Sequence, residues 1–185
     1  MQFSTDGFML EVMNELDEVW SRQLSAALTQ AQTTGRGDVA DYLTLRAAND
    51  EMRRASVRWL FDSLVEIASF ADRGDGRISI ETDPQHLFNL GNSTLRGEMA
   101  RLRQGVRCLT VEAGWTRTPA DGFMRGGALA LGRVSHFGIS KHDVELSLVL
   151  QNDVPGWFAA NKTGKREVFD SRNLNEHFQI FLGTE

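Results

Sequence analysis

Residues 82–105 read TDPQHLFNLGNSTLRGEMARLRQG, and their conformation decides where the helical part of this chain ends and its sheet begins. Asp83 and Pro84 form a helix start signal, a cap followed by a proline in the first turn. His86, Leu87, Phe88 and Leu90 follow until Gly91 stops the element. Asn92 or Ser93 caps a second short helix, with Leu95, Met99 and Leu102 inward, Arg96, Arg101 and Arg103 outward, and Gly105 at its end. The spacing thus predicts two short helices, and after Gly105 the period becomes alternating.

Upstream, the pattern is helical as far as Asp72, after which Arg77–Glu81 reads as a short strand with Ile78 and Ile80 on one face. Met9, Met13, Leu16, Trp20, Leu24, Ala27 and Ala31 step by three and four, which predicts a long helix over 7–33 that ends at Gly35 and Gly37. Asp38 caps a second helix reaching Asp72, whose half from Val57 to Ala71 is apolar nearly all round and is expected to be covered on most sides. The joint, ADRGDGRISIE (71–81), resembles a calcium loop until it is aligned: Ala71, Arg73 and Thr82 fall where oxygen ligands are needed. Its Arg73-Gly74-Asp75 recurs as Arg36-Gly37-Asp38, and both read as glycine turns that end helices.

Downstream, Arg107–Glu112 alternates, 114–127 is a glycine-rich loop, and Ala128–Phe137 is a strand whose apolar side switches at Gly132, predicting a bulge. Val144–Leu150 is the cleanest strand. Trp157–Ala160 and Glu167–Phe169 flank a hairpin loop at 161–165, and Ser171 caps a last helix carrying Leu174, Phe178, Phe181 and Leu182. The fold class is therefore α+β: a long N-terminal antiparallel helical hairpin (1–75), then short helices, a four- to five-stranded antiparallel meander and a C-terminal helix (76–185), expected as one compact unit.

Charge is unevenly spread over the net −5: residues 1–75 carry 13 acids and 7 bases, whereas 92–142 carry 3 acids and 8 bases, seven of them arginine. The simplest role for those arginines is pairing with the acidic helices, within the chain or across a dimer. Cys108 is the only cysteine, which excludes an internal disulfide and a cysteine-built zinc site. No apolar run is long enough for a membrane span and no signal peptide is apparent, so the expected compartment is the cytoplasm.

Two functional expectations follow. The first is a non-enzymatic interaction or adaptor protein, a homodimer built on the long helices, with Trp157 as an anchor for a protein partner. The second is recognition of a small anionic ligand, phosphate or carboxylate, by Arg103, Arg117, Arg125, Arg133, His136 and His142 around the glycine-rich loop. His136 is expected close to His142 or Asp143 across a hairpin. No nucleophile, base and oxyanion site assembles, no catalytic residue, metal or cofactor is expected, and overall acidity with few lysines disfavours nucleic acid.

Overall fold

The structure, a computed structural model, describes residues 19, 22–71, 78–122, 124–160 and 165–184, without the side chains of residues 119 and 125. About half of the first predicted helix (7–18, Trp20 and Ser21), most of the joint (72–77) and most of the loop at 161–165 (161–164) lie outside them. The described residues fall into two compact units, one ending at Glu51 and the other beginning at Met52. In the first, residues 22–33 are helical (α1), Gly35 turns with φ 71°, and α2 begins at Gly37, so Gly37 opens the second helix and does not end the first. α2 is one continuous helix, Gly37–Ala71, and much of the other arm of the expected hairpin lies outside the described residues.

In the second unit, seven antiparallel strands form a simple meander in chain order. They are β1 (Ser79–Leu90), β2 (Ser93–Gln104), β3 (Arg107–Trp115), β4 (Ala130–His136), β5 (Val144–Gln151), β6 (Val154–Ala160) and β7 (Arg166–Val168), followed by α3 (Ser171–Leu182). α+β holds, with seven strands in place of four or five. None of the described helices is long and apolar enough to cross a membrane.

The two predicted short helices are β1 and β2. Gly91 and Gly105, read as helix stops, each occupy the first position of a two-residue hairpin turn, at φ 60°. A glycine free to adopt positive φ serves a helix end and such a turn equally well, so it does not tell them apart. Leu95, Met99 and Leu102 are buried as expected, but not as one stripe. In a strand, successive residues alternate faces, which puts Leu95 and Met99 on one side of the sheet and Leu102 on the other. Pro84 is tolerated because β1 is an edge strand and because the register slips there. Asp83 opposes Met99 and His86 opposes Gly97, so Pro84 and Gln85 together face Glu98 as a bulge.

The inner face of the sheet packs on helices. Its rows include Leu102 with Leu109, Ala100 with Val111 and Val134, Ala113 with Leu146, and Ala130 with Leu148 and Trp157. Val57, Leu60, Phe61, Leu64 and Ala68 of α2, spaced by three and four, join them in one buried cluster with Leu174, Phe178 and Phe181 of α3. The opposite side of α2 is not fully covered: Trp59 and Val65 remain exposed, so this half of the helix is covered on one broad face only. Asp170, not Ser171, caps α3, accepting from the backbone N–H groups of Arg172 and Asn173 while Asn173 Oδ1 accepts from Asp170 N.

The second face is partly covered. Residues 116–129 contain two single 3-10 turns, and Met124 packs against Phe88, Leu90 and Leu95 and against Ala128, Val149 and Phe158. β4 alternates buried and half-buried without a slip in register, so there is no bulge at Gly132. A Cβ there would come within 2.9 Å of Glu112 O, which accounts for the glycine by close strand approach.

Candidate anion-binding cleft

At the β2–β3 turn the second face is open and holds a cleft of about 480 Å³ lined by Arg101, Arg103, Gly105, Val106, Arg107, Cys108, Thr110, Ser135, His136 and Phe137. Cross-strand register assembles it. Arg103 opposes Cys108, Arg101 opposes Thr110, and Thr110 opposes Ser135, so these side chains share a face in neighbouring rows. Arg101 donates to Glu81 Oε2 at 3.3 Å. Arg107 donates to Leu182 O, a carbonyl left over at the end of α3, where a cation also meets the negative end of the helix dipole. Arg103, which is exposed, makes no hydrogen bond or ion pair with the described residues.

Next to the cleft on the same face lies a buried ionic network. Glu112, 6% exposed, pairs with Arg133 and with His86 Nε2 at 3.0 Å, while His86 Nδ1 lies 3.5 Å from Asp83. The bulge at Pro84 creates this arrangement. Uninterrupted alternation from Glu81 would have turned His86 to the inner face, and the extra residue returns it to the side of Glu112. The ion pairs of Arg96, Arg101 and Arg133 are thus made to Asp121, Glu81 and Glu112, all from the mixed half of the chain and none from its acidic helices.

On the inner side a histidine cluster joins the sheet to α3. His136 Nε2 lies 3.0 Å from His177 Nδ1 with the rings stacked, His142 approaches His136 edge-on, and His136 N donates to Asp143 Oδ1 at 2.7 Å. The sequence predicts an approach of His136 to His142 or Asp143, and it meets both; the partner from α3 is additional. Burial first, then repulsion from His136 and His142, lowers the His177 pKa from 6.5 to about 4, against the opposing pull of Asp143. A histidine depressed in the folded state contributes its full stability above pH 6.5 and loses it as pH falls toward 4. Discounted for the part of the ring that water reaches, the loss is about 2 kcal/mol. His177→Phe is therefore expected to shrink the difference in urea-unfolding stability between pH 7.5 and pH 4.5 by that amount; an undiminished acid loss would refute the role of this pair.

Of the residues singled out in the sequence, Arg103 and His136 line the cleft, Arg133 belongs to the Glu112 network, and His142 stands beside His136. Arg117 stacks over the Trp115 ring, 4.0 Å from its centroid, and its backbone N–H donates to Asp121 Oδ2. The Thr118 N–H, ahead of that of Arg117, holds the Asp121 carboxyl below its ordinary pKa. Arg117 therefore organises the 116–129 loop and does not converge with His136. Arg125 opens the second 3-10 turn of that loop, and its side chain is outside the described residues. Trp157, expected to anchor a partner, is 3% exposed in the core and donates from Nε1 to Ser56 O at 3.0 Å.

Arg101 and Arg107 were legible as part of the basic stretch but not as cleft residues. A spacing of two puts Arg101 and Arg103 about 200° apart on a helix and side by side on a strand, so a helical reading of this stretch separates Arg101 from Arg103. Val106, Phe137, His86 and Glu112 carried no local signal at all. Among the described residues no group of three or more His, Cys, Asp or Glu side chains is placed to hold a metal ion. Comparison with protein-family models, with curated proteins and with solved structures finds no match in any of the three.

Proposed function

We propose that this is a binding protein that uses the cleft at the β2–β3 turn to hold a carboxylate or phosphate group. The observation that carries this reading is the placement of Arg101 and Arg103 on one face of a concave surface, with Arg103 making no ion pair among the described residues. Planar guanidinium groups present paired donors that match the oxygens of either anion, and the hydroxyls of Thr110 and Ser135 add neutral donors. The volume, about 480 Å³, falls in the range of ordinary ligand pockets. Donors and positive charge are what this set supplies, which is the chemistry of recognition.

Cys108 gives a direct assay, because it is the only cysteine and it lines the cleft. Inorganic phosphate and citrate are expected to slow alkylation of Cys108 in a saturable way. Arg103→Ala is expected to weaken that protection roughly 10- to 100-fold, the usual worth of one charge-assisted hydrogen-bonding group. Protection of equal strength in the variant, or none in the native protein at tens of millimolar anion, would rule the site out.

A further inference from the structure

We infer that the natural occupant of the cleft is an acidic peptide segment of a protein partner that carries an apolar side chain next to its carboxylates; this rests on the anion-binding reading above. The cleft is rimmed by apolar surface as well as by arginine. Val106 is 91% exposed and Phe137 is 77% exposed, and both line the cleft. Val106 is the second residue of the β2–β3 turn, while Phe137 donates its backbone N–H to Cys108 O, which fixes it beside the arginine rows. Any polar residue would serve at either position as far as the backbone is concerned. An aromatic and a branched side chain held in water around a positively charged hollow instead match a ligand with both characters.

Charge selects among the occupants. The chain as a whole carries −5, so a long polyanion such as a nucleic acid meets net repulsion outside the cleft, whereas a short acidic segment feels mainly Arg101 and Arg103. The fold already shows one carboxylate accepted there: Glu81, on the neighbouring edge strand, pairs with Arg101 at 3.3 Å. A partner glutamate or aspartate seated on Arg103 repeats that interaction one row nearer the turn, and its apolar neighbour then reaches Val106 or Phe137.

Fluorescence anisotropy on the full chain tests this with two labelled peptides, one alternating Glu with Phe and Leu, the other with serine at the apolar positions. The apolar-acidic peptide is expected to bind at least about 10-fold tighter, as one well-buried side chain contributes. Val106→Ser and Phe137→Ser, both at exposed positions, are each expected to reduce that advantage about 3- to 10-fold. Arg103→Ala should weaken the peptide and phosphate alike. Equal binding of the two peptides, or no effect of either rim variant, overturns the peptide inference and leaves the anion site standing. Tighter binding of a single-stranded oligonucleotide than of either peptide overturns it in favour of a polyanion. Loss of both peptide binding and phosphate protection in the native chain removes the two proposals together.

Discussion

Gly97→Ala is expected to destabilise the second unit by about 3 kcal/mol or more, a lowering of the melting temperature of roughly 10 °C. Gly97 on β2 stands directly opposite Gly114 on β3, and the two strands approach so closely that neither position has room for a side chain. A Cβ on Gly97 would fall on Ala113 O and within 2.5 Å of Gly114 Cα; one on Gly114 would lie 2.7 Å from Arg96 O. These are backbone atoms in the middle of a ladder and cannot rotate away, so relief requires the strands to part. Gly91→Ala is the control. It adds a methyl where nothing lies within 4 Å, but at φ 60°, so its cost is the left-handed conformation alone, about 1 kcal/mol. Similar melting temperatures for the two variants would refute the close approach of β2 and β3.

Glu112→Ala is expected to cost about 3 kcal/mol, because it leaves the Arg133 guanidinium and His86 without the carboxylate that joins them. The value lies at the low end of the range for a broken buried pair because the Arg133 side chain is 38% exposed and water can compensate part of the loss. The Nε of Arg133 is buried without a hydrogen-bond partner among the described residues, so the group has little alternative solvation inside the sheet face. Removing both charges should hurt less than removing one: the double variant Glu112→Leu, Arg133→Leu is expected to be more stable than Glu112→Ala, since no charge then remains to be desolvated. Urea unfolding of the three proteins decides it. A double variant less stable than the single one would show that the ion pair itself, and not the stranded charge, carries the stability.

Several elements were legible because a local pattern and the final environment agree. The stripe Val57, Leu60, Leu64 and Ala68 is buried as a helix face, Val144–Gln151 alternates as a strand, and Leu174, Phe178 and Phe181 form the inner side of α3. The approach of His136 to Asp143 followed from recognising two strands joined by a short connection. β1 and β2 escaped because each local cue in 82–105 has two uses. Asp83 and Pro84 begin helices, and they also sit comfortably at a bulge on an edge strand, where Asp83 Oδ1 accepts from Gln85 N. Leu95, Met99 and Leu102 make a helical stripe, and they also divide between the two faces of a strand when both faces are buried.

The cleft escaped for the same reason, since the pairing of Arg101 with Thr110 and of Arg103 with Cys108 exists only once β2 is a strand. By itself, the amino-acid order determined the α+β class, the long second helix, the later strands and the concentration of arginine in the middle of the chain. Tertiary structure decided that the middle segment extends the sheet, that a bulge turns His86 toward Glu112, and that two arginines meet an exposed valine and phenylalanine around one hollow. Helical stripes and strand alternation are written in neighbouring residues. Register, by contrast, is chosen by what lies across the ladder, and a single bulge or a pair of facing glycines reassigns every side chain beyond it.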